Sequence, residues 1–339
     1  MKRRDFFHYA AGGTFSLGVS SLSNSGSLPK AMGADEKMSQ PWEAVHNSDL
    51  YQAVIALPGL SESFKVMHIT DSHISRELPE DEEFLTLYGK RMTDAYSSAR
   101  HYKTGQSGVP LLFFEQILDI AKQQKVDRLL LTGDIVNNPA IGSVRAVLER
   151  LEATKIPFLY TAGNHDWHYE GMEGTSESLR ETWTEKRLKL LYAGADPMCS
   201  SNIHKGVNFV RINDSTYQIS ERQLEFYRQQ KSKPEPIALM MHIPLFMPTM
   251  GIATCGHPDW GEKTDGNYKI ERRPIWPQEG CSATTKQFVR EVCSTPQLAG
   301  IFTGHLHQAF TVSKGDSIQH VAAFAASGAY RIVQFQPYG

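Results

Sequence analysis

Eight polar residues carry the chemistry that this sequence can do: Asp71, His73, Asp134, Asn164, His165, His242, His305 and His307. Aspartate and asparagine offer hard oxygens and histidine an imidazole nitrogen, the mixture that suits Mn, Fe or Zn, and a carboxylate can bridge two ions. A single zinc needs only three or four such groups, so a set this large points to two ions. The pairs Asp71-x-His73 and His305-x-His307 are two residues apart, a spacing that diverges on a helix but converges on an extended strand or its exit. Taken singly, each residue has a plainer reading. His242 behind an apolar strand is an ordinary hydrogen-bonded core histidine, and Gly133-Asp134 or Asn164 are ordinary turn residues. Their shared position, each at a strand exit, makes them a site.

Each of these residues follows a short apolar run. Residues 64–70 are β-prone and end in Asp71-Ser72-His73, and 126–131 run into Gly133-Asp134. Residues 157–161 end in Gly163-Asn164-His165-Asp166, 237–241 in His242, and 298–303 in Gly304-His305-Leu306-His307. Five strands thus deliver polar residues to one sheet edge, the carboxyl edge at which α/β proteins place ligands. Helices are predicted over 111–124, where Leu112, Ile117, Leu118 and Ala121 fall at helical spacing, and over 142–153. Residues 310–313, 318–324 and 331–335 alternate as strands, with Lys314-Gly315-Asp316 as a hairpin turn. The segments 74–110 and 244–283 exceed ordinary loop lengths and read as rims of the site.

In this order the motifs Asp71-Ser72-His73, Gly133-Asp134, Gly163-Asn164-His165-Asp166, His242 and Gly304-His305-Leu306-His307 resemble those of the calcineurin-like metallophosphoesterases. The resemblance implies an α/β fold, the four-layer αββα sandwich, with the metal site at the carboxyl ends of the strands. It implies two divalent or trivalent ions, Mn, Fe or Zn. Asp71, His73 and His307 would hold the first with Asp134 bridging, and Asn164, His242 and His305 would hold the second. A bridging hydroxide would attack the phosphorus of a small phosphoester in line. His165 would serve the leaving group as general acid or positive stabiliser, and Asp166 would orient its ring. The chemistry needs such a centre: phosphate monoester hydrolysis calls for up to ~10²¹-fold acceleration, whereas one acid or base contributes about 10²- to 10⁴-fold. The purple acid phosphatases differ. They carry Gly where this chain has His73, and Tyr where it has Asn137, which removes their coloured iron ligand. Monoester and diester substrates both stay open. The rival readings are a non-catalytic module that binds metal or phosphate on the same fold, which the complete ligand set argues against, and a nuclease of the same family.

Composition bears on that last rival. The 339 residues carry 35 Lys+Arg against 37 Asp+Glu, a formal charge of -2, with no basic tract of five or more. This argues against nucleic acid as partner. No apolar run approaches the ~20 residues of a membrane-spanning helix, so no transmembrane anchor is expected. At the N-terminus, Arg3-Arg4-x-Phe6 heads a weakly apolar stretch and resembles a bacterial twin-arginine signal. Residues 1–33 are read as that signal peptide, 34–48 as linker and 49–339 as a single metallophosphoesterase catalytic domain. The twin-arginine export machinery becomes a partner, and the location periplasmic or secreted. Without residues 1–33, whose charge is +3, the remaining chain carries -5. Export would permit disulfides, Cys281 with Cys293 or Cys255 with Cys281, while buried thiols acting as small apolar residues are the alternative. Trp167, His168 and Tyr169 read either as an aromatic wall over the leaving group or as loop packing. Arg76, Arg91 and Arg272 read either as contacts for a second anionic group or, as most arginines in such loops, as solvated.

Overall fold

The structure is a computed structural model that describes residues 45–48, 51–82, 94–169, 172–261 and 280–338. The signal segment, most of the linker, Arg91 and Arg272 lie outside the described residues. Two six-stranded sheets organise the chain. The first holds β1 (Val45–Ser48), β2 (Gln52–Leu57), β3 (Phe64–Ile69), β6 (Arg128–Thr132), β7 (Phe158–Thr161) and β14 (Arg331–Pro337), in the order β1-β2-β14-β3-β6-β7. The second holds β8 (Cys199–His204), β9 (Val207–Ile212), β10 (Ile237–Met240), β11 (Leu298–Thr303), β12 (Phe310–Lys314) and β13 (Ser317–Val321), in the order β12-β13-β11-β10-β9-β8. A small ribbon, β4 (Ala99–Arg100) with β5 (Ser107–Gly108), stands apart in the 74–110 rim. Strands β3, β6 and β7 run parallel in one sheet, as do β9, β10 and β11 in the other. Their carboxyl ends therefore meet at one edge.

The sheets are held by alternation. Leu130 points inward with Val66, Leu159, Phe209, Met240, Phe302, Val333 and Phe335, while Leu129 and Leu131 point outward toward helices. This is why the run Leu129-Leu130-Leu131 is apolar throughout: a strand covered on both faces needs it. Phe64, Phe209 and Phe335 meet at centroid distances of 4.9 to 6.3 Å. Each such side chain contributes about 1.5–3 kcal/mol on burial, against about 1 kcal/mol for a typical hydrogen bond, so the interior layer carries the stability and the polar edge is free to serve chemistry. Helices α1 (Pro110–Gln123) and α2 (Ile141–Thr154) cover the first sheet. Helix α1 opens with Pro110, whose missing N–H costs nothing at a first turn. Phe113, Phe114, Ile117, Leu118 and Ala121 form its buried face, and Leu112, which the spacing groups with Ile117, Leu118 and Ala121, is exposed. After α3 (Ser176–Trp183) and α4 (Lys189–Tyr192), α5 (Glu221–Lys231) and α6 (Ala283–Val292) cover the second sheet. The layers run helix, sheet, sheet, helix, which is the expected α/β sandwich.

Some boundaries differ from expectation. Strand β1 falls in the stretch read as linker and pairs antiparallel with β2, so the sheet begins before Asp49. Strand β13 stops at Val321 because the next residues turn to the site: the amides of Ala325 and Ala326 donate to the carbonyls of Thr70 and Asp71. Strands β8 and β9 were not foreseen. Among the described residues no helix is long and apolar enough to cross a membrane.

Helices α5 and α6 are tied by Glu291, which accepts from Arg228 at 2.7 Å and Lys231 at 2.9 Å. Those bonds, Arg228 first, bring its carboxyl down to about 2. A depressed carboxyl contributes stability that is fully present above its unfolded pKa of 4.5 and is lost as pH falls toward 2. The Glu291→Gln variant should melt about 1–3 °C below the parent at pH 7, for a partly screened network worth about 1 kcal/mol. In calorimetric scans that gap should close between pH 4.5 and 2; a gap independent of pH would refute the ionic origin.

Candidate metal centre

The site is assembled by backbone before any side chain acts. The loop after β3 lies along the loop after β6: the amides of Asp71, His73 and Ile74 donate to the carbonyls of Gly133, Asp134 and Ile135 at 2.9–3.0 Å, and Ser72 Oγ adds a bond to Ile135. In the second sheet the loops after β10 and β11 are tied by Gly304, whose amide donates to the His242 carbonyl at 2.9 Å, and the His305 amide reaches across to Asp71 Oδ2 at 2.9 Å. Asp71, His73, Asp134, His305 and His307 all hold left-handed φ of 41° to 68°. Each such residue costs about 1–2 kcal/mol, a strain that persists only where surrounding bonds fix it. Two glycines permit the close approach. A Cβ on Gly304 would fall on Thr70 Oγ1 and Asp71 Oδ2, and one on Gly163 would fall on the Asp134 carboxylate and amide.

The side chains converge in linked groups. Asp71, His73 and His307 form one, Asp134, His242 and His305 another, and His73, Asp134 and His165 connect them, each with ligand atoms within 4.8 Å of one another. His307 Nε2 lies 3.3 Å from Asp71 Oδ1, His242 Nε2 3.3 Å from Asp134 Oδ2, and His73 Nε2 3.8 and 3.9 Å from the two carboxylates. Buried Asp71 Oδ1, Asn164 Oδ1 and His242 Nε2 have no hydrogen-bond partner among the described residues. Unpaired buried polar atoms are costly, and Asp71 Oδ1 and His242 Nε2, which both face this donor-rich cluster, fit cations. Outer contacts aim the rings: His242 Nδ1 donates to the Thr132 carbonyl at 2.8 Å, which leaves Nε2 for an ion.

The electrostatics agree. Burial opposes ionisation of Asp134, yet His242 and His165 beside it hold its carboxyl well below the usual range. Burial is likewise overcome at Asp71, which the nearby His307 brings to about 2. Burial and the nearby His165 push His73 well down, toward the neutral ligand form. His242 goes the other way: burial lowers it, but Asp134 and then Asp71 raise it to about 10.

The structure thus brings together Asp71, His73, Asp134, His165, His242, His305 and His307, and Asn164, next to His165 in the loop after β7, is buried. The expectation that Asp166 orients the His165 ring is corrected. The Asp166 carboxylate accepts from the amides of Asp134, Val136 and Gly163 at 2.7–2.9 Å and is spent on the backbone. Burial and the Asp134 charge push it up to about 7. The ring is oriented by Asn137, whose carbonyl and side-chain oxygens lie 3.3 and 3.2 Å from His165 Nδ1. Trp167 and Tyr169 are fully buried and His168 nearly so, which settles them as packing. The aromatic wall is made elsewhere: Tyr96 stacks on His73 at 3.9 Å, and Phe324 on His307 at 4.5 Å. Arg76 is exposed beside Glu149. Two residues were missed, Asp214 and Tyr217, in the loop after β9. Asp214 Oδ1 accepts the amides of His242 and Ile243 at 3.0 and 3.2 Å, and the Tyr217 hydroxyl lies 2.6 Å from His305 Nε2. The signal was the polar run Asn213-Asp214-Ser215-Thr216 directly behind the strand.

The model of a family described as calcineurin-like phosphoesterase matches residues 64–309. A probable cyclic nucleotide phosphodiesterase from Moraxella catarrhalis (strain BBH18) is 42% identical over 57 residues, 17% of this chain and 21% of that protein. The chain thus matches about a fifth of that curated relative's length. Among solved structures, a dimetal phosphatase from Danio rerio is similar with a TM-score of 0.51 and 11% identity, covering 80% of this chain and 92% of that one. A purple acid phosphatase from yellow lupin (Lupinus luteus) seeds gives a TM-score of 0.47 and 14% identity over 82% and 47%. The Danio rerio likeness is one of fold.

Gly304→Ala tests the packing of the site. The added methyl must displace Thr70 or Asp71, at about 1–3 kcal/mol. The variant should melt lower than the parent and bind Mn²⁺ more weakly in equilibrium dialysis; parental ion binding would show that the contact is not needed.

Proposed function

Because the chain belongs to the calcineurin-like phosphoesterase family, and so is a hydrolase of phosphoester bonds, we propose that it is an exported, dinuclear-metal enzyme acting on small phosphoric esters. The observation that carries this reading is the pair of ligand groups joined through His73 and Asp134. Asp71, His73 and His307 would hold one ion, Asn164, His242 and His305 the other, with Asp134 between them. When bound, the ions would clamp phosphoryl oxygens and lower the pKa of water so that a nucleophile exists near neutral pH.

The remaining work falls to the chain. His165 Nδ1 faces two Asn137 oxygens and so keeps its proton in either charge state, which leaves Nε2 as the atom that exchanges a proton with the leaving group. The His165 amide donates to Asp134 Oδ1 at 2.8 Å, which ties the backbone of the acid to the carboxylate. Asp166 acts as a positioning residue by fastening both loops. Tyr96 and Phe324, stacked on the first-group histidines, would exclude water on that side. The local match to a probable cyclic nucleotide phosphodiesterase favours diesters.

The test is hydrolysis of chromogenic mono- and diester substrates with added Mn²⁺ and a chelator control. Chelator-sensitive turnover is expected. His165→Ala should lose about 10²- to 10⁴-fold in kcat while keeping both ions by elemental analysis; parental turnover would remove His165 from the mechanism. Two bound ions without turnover on either panel would make the protein a binding module.

Export is proposed from Arg3-Arg4-x-Phe6. Replacing Arg3 and Arg4 by Lys should retain the protein inside the cell on fractionation. Unchanged delivery to the periplasm or medium would exclude the twin-arginine route.

A further inference from the structure

We propose that Tyr217 is a positioning residue that sets the affinity of the second ion, an inference that rests on the two-ion reading above. Tyr217 is fully buried and holds a left-handed φ of 60°. A tyrosine is rarely found there, and such strain points to a constraint worth its cost. Its ring lies on Trp260 at 4.8 Å and meets the edge of His305 at 5.5 Å and 82°. The consequence is at its tip, where the hydroxyl stands 2.6 Å from His305 Nε2.

A histidine offers an ion either ring nitrogen, and the choice is made by what holds the other. With Nε2 engaged by the phenol, the Nδ1 lone pair is left for the ion. The His305 amide is fastened separately, by donation to Asp71 Oδ2 at 2.9 Å. Tyr217 therefore acts on the ring and not on the backbone. It does so from a loop that holds the rest of the second group. Asp214 grips the amides of His242 and Ile243, and Ser215 accepts the indole N–H of Trp167 at 2.9 Å, three residues beyond Asn164. Residues 213–217 supply no ligand, yet each of the three second-group ligands is held from them directly or through a near neighbour. The first group is held from other elements: the loop after β6, Tyr96 and Phe324.

Tyr217→Phe removes the hydroxyl and keeps the ring on Trp260. In Mn²⁺ titrations against a competing chelator, the variant should bind one ion as the parent does and the other about 10- to 100-fold more weakly. At limiting Mn²⁺ the spin-coupled two-ion resonance of the parent should give way to that of an isolated ion, and excess Mn²⁺ should restore it. The unchanged first ion is the internal control for folding. A variant that keeps both ions at parental affinity overturns the inference alone, and equal weakening of both overturns its selectivity. A parent that binds one ion or none overturns the dinuclear reading and the inference with it.

Discussion

Two carboxylates, Asp71 and Asp134, sit fully buried within reach of the same histidine, His73. Like charges in a medium of low dielectric repel strongly and are poorly solvated, so neither is stable there without cations or donors. Each divides the task between its oxygens. Asp71 Oδ2 accepts from the Thr70 hydroxyl and the His305 amide, and Oδ1 faces the cluster. Asp134 Oδ1 accepts from the His165 amide, and Oδ2 faces His242 and His73. One oxygen fastens a motif loop and the other faces the imidazoles of the cluster, which couples assembly of the loops to the charge gathered there.

The fold meets this demand by separating functions in space. The phenylalanine-rich layer between the sheets contributes the stability, whereas the carboxyl edge carries left-handed backbone at five of the proposed ligands and side-chain oxygens packed against glycines. Strain at the edge is tolerable because the layer beneath does not depend on it. Aromatic rings at the rim, Tyr96 and Phe324, are placed by the 74–110 segment and by the turn after β13.

The residues of the cluster, proposed as ligands, were legible because the chemistry restricts residue types and because each follows an apolar run. The supports were less so. Asp166 sits beside His165 in sequence, which suggests contact with the ring; the turn instead points it at three amides. Strand β9 hides because Asn208 and Arg211 interrupt its apolar pattern, although both are buried. With β9 unseen, Asp214 and Tyr217 had no strand exit to mark them. Helix α5 is polar along most of its length, but Ser220 and Gln223 form a capping box at its start, a local signal that three-residue spacing discloses.

Strand β14 lies between β2 and β3, parallel to one and antiparallel to the other. Residues 331–337 thus complete a sheet whose neighbours were synthesised more than 260 positions earlier. The first sheet cannot close on a ribosome-bound fragment that lacks them, and the turn that bonds Thr70 and Asp71 is laid down only just before. Long-range pairing of this kind is slow. Strands β3, β6 and β7 can bring their loops together before that point, but the sheet behind them gains its middle strand only when residues 331–337 arrive.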